Sequence, residues 1–220
     1  SLSSKEITKT FADQFSKDDS YYEMAYNHAK SASQYIIRPD ASTFHTFHMD
    51  TITGKPRFGS THQGYSDDSC WARGQAWGIM GFPISYSYTK DKEFLEKAKC
   101  LANYFLNRLP KDFVCNWDLI FTADDGQRDT SAAAIAAIGL LELSNALPKE
   151  DKDKELYKNA CLAIAKSLSE KYLGTNLEGI LKSGVYFYHG NLGIEEYLIF
   201  GDYFFVELLM RLYKDWNPYW

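Results

Sequence analysis

Apolar residues recur every three to four positions along most of the chain, a spacing typical of amphipathic helices. Turn-forming residues interrupt the pattern several times, so that it predicts about seven helices. The predicted helices cover residues 4–16, 20–37, 69–89, 91–108, 129–147, 151–172 and 201–214.

Two other stretches do not follow the helical period. The segment "STFHTFHMD" is short, aromatic and rich in Thr, and the turn residues "TGKP" follow it closely. This pattern predicts a small β-hairpin or an extended loop from residues 42–50 and about 57–63. The Gly-rich segment 179–202 is predicted to be a loop with one short strand.

The helices differ in how apolar residues are distributed around them. Segments 69–89 and 129–147 consist mostly of small, apolar residues on nearly all sides of the predicted helix, so we expect both to be buried. The helices that follow them, 91–108 and 151–172, are amphipathic, with charged residues on one side. This alternation predicts a double ring of inner and outer helices. The N-termini of the inner helices would meet at one end, where we expect a pocket.

The helix predicted over residues 69–89 has one face without side chains. Gly74, Gly78 and Gly81 recur at helical spacing, and each costs about 0.5–1 kcal/mol relative to Ala. A close neighbouring helix or a ligand is therefore expected on this face. We also expect Pro83 to kink the helix.

Three polar residues are predicted to cap helices. Asp68 or Ser69 is the expected N-cap of the helix over 69–89, and Asp129 that of the helix over 129–147. Their side-chain oxygens suit the unpaired N–H groups of a first turn.

The composition narrows the class of protein. Aromatic residues make up 16% of the chain; either they form a large aromatic core, or some line a sugar-binding cleft. A net charge of −5 argues against a nucleic-acid partner, and no apolar run is long enough for a membrane span. The four Cys residues lie far apart without a CxxC pair and are expected to be free thiols, mostly buried.

The residues around Arg73 and Trp77 are the first candidates for binding chemistry. At a spacing of i, i+4 they share a helix face, where a planar guanidinium and a flat indole suit a sugar acid. An Arg stacked on Trp in a structural layer explains the same spacing. The imidazoles of His45, His48 and His62 flank this region together with Gln63. His45 and His48 point to opposite faces of an extended segment, so no metal site is predicted.

The acidic residues do not form a convincing pair for acid–base catalysis. Several precede helices and are equally well explained as caps. The candidates are Asp67, Asp68, Asp118, Asp124, Asp125, Asp129, Glu195 and Asp202.

The central stretch "THQGYSDDSCWARGQAWGIMGF" resembles the hallmark of the unsaturated glucuronyl hydrolases, family 88 of the glycoside hydrolases. "RPDASTFHTFHMD", "RDTSAAAIAAIGLLEL", "GDYFFVELLMRL" and "WNPYW" are similar to that family as well. The resemblance implies an (α/α)6 barrel, here a partial ring, with residues 1–220 as the C-terminal part of one catalytic domain. It also implies removal of a terminal 4,5-unsaturated uronic acid from oligosaccharides that polysaccharide lyases produce.

The resemblance assigns substrate contacts to His45, Gln63, Arg73 and Trp77, and it implies no metal and no cofactor. The family's two catalytic Asp residues have no counterpart here. One lies well upstream, and the other would fall at or just before Ser1, so no catalytic residue is assigned. The loop "YFYHGNLGIEE" lacks the Ser and Lys of members that prefer sulfated substrates, which argues against a strong sulfate preference.

Two other functions stay open at this point. One is unsaturated rhamnogalacturonyl hydrolysis, as in a sister family, and the other is a non-catalytic sugar-binding or scaffold protein. An unsaturated oligosaccharide is the expected partner, and the open side of a partial ring predicts self-association or a separate N-terminal half. No apolar leader is visible, so the cytoplasm is the expected location and the periplasm the alternative; the chain begins without Met.

Overall fold

The computed structural model describes residues 19–175 and 178–215, and these contain six helices. The predicted helix over 4–16 and the motif "WNPYW" lie outside the described residues. The helices are α1 (Asp19–Tyr35), α2 (Ala72–Thr89), α3 (Lys92–Leu106), α4 (Thr130–Ala146), α5 (Lys154–Lys171) and α6 (Ile199–Tyr213). Each of the six predicted helices in this part of the chain is confirmed, with ends shifted by at most three residues.

Two antiparallel hairpins join the helices. The first pairs β1 (Thr46–Met49) with β2 (Pro56–Ser60), which confirms the predicted hairpin. The second pairs β3 (Gly184–Phe187) with β4 (Leu192–Glu196), where the sequence predicted only one short strand. The turn and β4 contain Asn191, Gly193 and Glu195 at positive φ, and this irregular backbone obscures the alternation of a strand.

Helix α4 is the centre of the molecule. It packs against α2 on one side and α6 on another, while the amphipathic helices α3 and α5 pack against α2 and α4 from outside. The inner and outer rows confirm the predicted arrangement, a partial ring of the (α/α)6 type. The backbones of α2 and α4 approach so closely that a Cβ on Gly139 would lie 2.6 Å from the Met80 nitrogen.

The start of α2 differs from the prediction. The helix begins at Ala72 with Trp71 as its N-cap, and no side chain caps it. The predicted cap at Asp68 or Ser69 is therefore wrong. The Ser69 hydroxyl donates to the Asp118 carboxylate instead, because the chain before α2 runs extended and pairs with residue 118. Pro83 lies inside the helix, which continues past it.

The two inner helices also differ in how far they are buried. Helix α4 is buried along nearly its entire length, as predicted. Helix α2 is buried only on the faces that meet α3 and α4, and Trp77 on its other side is 39% exposed. The expectation that residues 69–89 are buried nearly all round is thus wrong for one face.

Three further features bear on the sequence predictions. All four Cys residues are free thiols, and only Cys100 is exposed, which confirms that expectation. No helix in the described part of the chain is long and apolar enough to cross a membrane. Helix α6 carries exposed apolar residues at helical spacing, namely Ile199, Tyr203, Val206 and Tyr213.

Candidate functional site: an aromatic groove and a hydrogen-bonded network

A groove of about 580 Å³ runs along the glycine face of α2, between this helix and α1. Gly74, Gly78 and Gly81 all line it. A Cβ on Gly81 would meet nothing within 4 Å, whereas one on Gly78 would meet Leu101 of α3. The predicted bare face therefore opens partly onto free space and partly onto a neighbouring helix. Rings line much of the groove: Phe44, His45, Trp71, Trp77 and Phe82.

His45 lies where the groove reaches the N-terminus of α2. Its Nδ1 accepts hydrogen bonds from the backbone N–H groups of His62 and Gln63, each 3.0 Å long. Nδ1 is thus an acceptor, and the proton of the neutral ring belongs on Nε2. The ring lies 4.4 Å from the Trp71 ring, between centroids. Burial, with smaller contributions from His62 and Arg73, lowers the pKa of His45 below its ordinary value.

Gln63 does not line the groove but joins the same network. Its side-chain amide donates to the Tyr186 carbonyl oxygen at 2.6 Å. The loop before α2 is thereby joined to strand β3. Two more contacts connect the loop to the second hairpin. The His62 ring stacks on Phe187 with 5.0 Å between the ring centroids, and His189 is hydrogen-bonded to the Gly64 carbonyl.

Arg73 is buried behind the groove. Its Nη1 donates to the Asp129 carboxylate at 2.8 Å and to the Val185 carbonyl at 2.7 Å, and its Nη2 donates to the Tyr186 carbonyl at 2.9 Å. The side chain is 4% exposed. The interpretation of Arg73 as part of a structural layer thus has direct support. Nε and one hydrogen on Nη2 have no partner among the described residues, so contact with a ligand stays a prediction.

Trp77 stands apart from the other three predicted residues. Its indole lines the groove and meets Phe204 of α6 edge to face at 5.2 Å. The guanidinium of Arg73 instead stacks on Trp71, with 4.6 Å from Cζ to the ring centroid. Trp71 is not among the residues predicted from the sequence; its position directly before the helix, two residues before Arg73, was the available signal.

The structure therefore brings His45, Gln63 and Arg73 into one network around Trp71 and the Tyr186 carbonyl. Trp77 faces the same groove from the next turn of α2. His48 takes no part, because its Nε2 is hydrogen-bonded to the Ser60 hydroxyl within the first hairpin.

The buried carboxylates have structural partners. Asp118 accepts four hydrogen bonds, from the Ser69 hydroxyl and from the backbone N–H groups of Tyr65, Cys70 and Ile120. Asp129 caps α4 by accepting from the Ser131 and Ala132 N–H groups, which confirms its predicted role. None of the groove-lining residues in the described part of the chain is an acid. The same part holds no group of three or more residues suited to a metal ion.

Comparisons with known proteins agree with this fold. No family model matches the chain. It is 49% identical, over 96% of its length, to the unsaturated chondroitin disaccharide hydrolase of Streptococcus pneumoniae, of which it covers 54%. The crystal structure of unsaturated glucuronyl hydrolase from Streptococcus agalactiae superimposes with a TM-score of 0.91 at 47% identity. That match covers 95% of this chain and 53% of the other.

A mutant of the Streptococcus agalactiae enzyme in complex with dGlcA-GalNAc6S also matches, with a TM-score of 0.86 and 47% identity. It covers 96% of this chain and 57% of the other. The fold and the sequence thus place the chain among the helical-barrel glycoside hydrolases. More particularly, the chain is a homologue of the unsaturated glucuronyl hydrolases and spans about half the length of the relatives it matches.

Proposed function

We propose that this chain supplies the substrate-binding part of a glycoside hydrolase that removes a 4,5-unsaturated uronic acid from lyase-generated oligosaccharides. The observation that carries the proposal is the groove along α2. Its walls are aromatic, and it ends at the His45 ring, directly beside the network that holds Gln63 and Arg73. Flat rings suit the apolar faces of pyranoses.

The polar end of the groove suits an anionic sugar. Arg73 has a planar fork of five N–H donors, of which two lack partners among the described residues. The Nε2–H of His45 is a further donor at the groove wall. A carboxylate reaching these groups would form charge-assisted hydrogen bonds, which are about twice as strong as neutral ones. In this proposal the Trp77 indole stacks on the sugar ring.

Binding rather than proton transfer is the role proposed for this part of the protein. No acid lines the groove within the described ranges, and the buried carboxylate of Asp129 is paired with Arg73. The proton donor would come from the part of the protein that this chain does not cover. There an Asp would protonate C4 of the vinyl ether and water would add at C5, giving a hemiketal that opens and releases the partner sugar.

The relatives indicate the class of substrate. One is named for unsaturated chondroitin disaccharides, and another is complexed with dGlcA-GalNAc6S. We therefore propose an unsaturated glycosaminoglycan disaccharide as the substrate. By the family resemblance, Gly190 and Leu192 occupy the loop region where members that prefer sulfated substrates carry Ser and Lys, so we propose a preference for substrates with little sulfation.

We also propose that the remaining part of the ring covers the apolar stripe of α6. Ile199 is 83% exposed and Tyr213 84%, and contiguous exposed apolar surface often marks a contact with another protein part. Light scattering on the isolated chain tests this. We expect the chain to associate with a separately expressed N-terminal half. A stable monomer that does not bind this half would contradict the proposal, and so would a dimer of the chain that prevents this half from binding.

The test of the function is an activity assay on the full-length protein and on this chain alone. Turnover removes the absorbance of the conjugated double bond in an unsaturated chondroitin disaccharide. We expect turnover by the full-length protein and none by the chain alone. Absence of turnover by the full-length protein would contradict the function, and turnover by the chain alone would contradict the division of roles.

A further inference from the structure

We propose that Asp129 is a positioning residue for the candidate site. It holds the Arg73 guanidinium in the place from which Arg73 anchors the β3–β4 hairpin against the loop of Gln63. For its effect on substrate the proposal rests on the proposed function. The anchoring itself is a property of this chain and is testable without any substrate.

The two oxygens of Asp129 have different partners. Oδ1 accepts from the backbone N–H and the hydroxyl of Ser131, at 3.1 and 2.6 Å, and so caps α4; it also accepts from the Val185 N–H of β3 at 3.5 Å. Oδ2 faces Arg73 at 2.8 Å. The carboxylate is fully buried, and the hydrogen bonds to Oδ1 hold it at the start of α4.

The guanidinium is held in the other directions by rings. The Cζ atom of Arg73 lies 4.6 Å from the centroid of the Trp71 ring and 4.9 Å from that of the Phe200 ring. Within the described residues, Asp129 is the only carboxylate in ion-pair contact with Arg73. Stacking on the rings restricts the plane of the group, and the ion pair fixes its rotation within that plane.

Held in this way, Arg73 bonds to two successive carbonyls of β3, those of Val185 and Tyr186. The Tyr186 carbonyl also accepts from Gln63, whose own backbone N–H donates to His45. One continuous chain of hydrogen bonds thus runs from Asp129 to the groove wall. Removing the charge of Asp129 should loosen the β3–β4 hairpin even though α4 remains folded.

Hydrogen exchange on the isolated chain tests the anchor. Asp129→Asn keeps an oxygen for the α4 cap but loses the ion pair, and Arg73→Lys keeps a charge but loses the fork. The control is Asp91→Asn, the same change at the N-cap of α3, where the side chain accepts from Glu93. In both test variants, we expect exchange at least about tenfold faster in residues 184–196, with α4 unchanged.

Unchanged exchange of residues 184–196 in both variants would overturn the proposal. Equal loosening of α4 and the hairpin would overturn it too, since Asp129 would then act only as a helix cap. Asp91→Asn should leave the hairpin as in the wild type.

Kinetics of the full-length protein test the link to substrate. Asp129→Asn should raise KM about tenfold while kcat changes less than about threefold, because contacts equal in ground and transition states affect KM alone. Hairpin loosening with unchanged KM would overturn the positioning role. A wild-type protein without turnover would instead contradict the proposed function, and the exchange data would still decide on the anchor.

Discussion

Helices α2 and α4 have similar small, apolar sequences and lie side by side, yet they are buried differently. Every side of α4 meets another part of the protein, whereas one side of α2 faces the groove. Their glycines show the difference. A Cβ on Gly139 of α4 would collide with the backbone of α2 at 2.6 Å, but one on Gly81 of α2 would meet nothing.

Small residues therefore occur in the two helices for different physical reasons. In α4 they permit the close approach of two backbones, and a larger side chain would force the helices apart. In α2 at least one of them leaves space that no described residue fills. The polar network, with Arg73 and Asp129, lies where the two helices begin, so that it belongs both to the packed layer and to the groove.

The largest effect is expected for Arg73→Ala. It leaves the Asp129 carboxylate buried without its counter-ion, which costs about 3–5 kcal/mol. The free energy of unfolding, from urea titration of the isolated chain, should fall by that amount. The control is Lys111→Ala, which breaks an exposed ion pair with Asp124 and should change the free energy of unfolding little, because water screens exposed pairs. Equal losses in the two variants would show that the Arg73 pair is not buried as described.

The paired substitutions Gly139→Ala and Gly81→Ala test the contrast between the helices directly. We expect Gly139→Ala to destabilise the chain by about 1–3 kcal/mol, because its methyl group overpacks the α2 interface. Gly81→Ala should stabilise it by about 0.5–1 kcal/mol, the ordinary helix preference of Ala over Gly. Urea unfolding of both variants measures the sign of each change in the free energy of unfolding. Destabilisation by Gly81→Ala would mean that another part of the protein occupies the space beside it.

Trp77→Ala should separate binding from stability. The indole is partly exposed and touches Phe204 on one edge, so the urea midpoint should change little. Loss of stacking on a sugar should weaken binding of an unsaturated disaccharide by about 0.5–1.5 kcal/mol. Trp77→Phe keeps a flat ring and should recover part of the affinity. Calorimetry with unchanged affinity in Trp77→Ala would remove Trp77 from the site.

The smallest effect is a pH dependence from His45. Burial lowers the pKa of its imidazole in the folded chain, so the unfolded chain binds the proton at higher pH. The free energy of unfolding should therefore fall as the pH drops below about 6.5, the ordinary His value. His45→Gln should flatten this dependence. Identical pH curves for the wild type and His45→Gln would contradict the account.

Local patterns predicted the helices and some of their ends. Asp129 caps α4 as expected because a cap depends on residues within three positions of it. The cap of α2 was predicted wrongly because Asp118, 49 positions away, takes the Ser69 hydroxyl. A capping rule considers only neighbouring residues and therefore cannot account for Asp118.

The site was predictable only as a set of residue types. The spacing of Arg73 and Trp77 placed them on one helix, but the structure turns Arg73 inward and leaves Trp77 at the groove. The partners that decide this, Asp129 and Val185, lie 56 and 112 positions further along the chain. The second hairpin was missed for a related reason, since backbone at positive φ, not side-chain alternation, shapes β4.

We propose that the groove along α2 binds the unsaturated sugar, and NMR of the indole N–H groups of the isolated chain, titrated with an unsaturated chondroitin disaccharide, tests this. We expect the Trp77 signal to shift with added disaccharide, while that of Trp117, which is stacked under Tyr188 and 3% exposed, stays in place. A Trp77 signal that stays in place at millimolar ligand, or a shift of Trp117 alone, would contradict it.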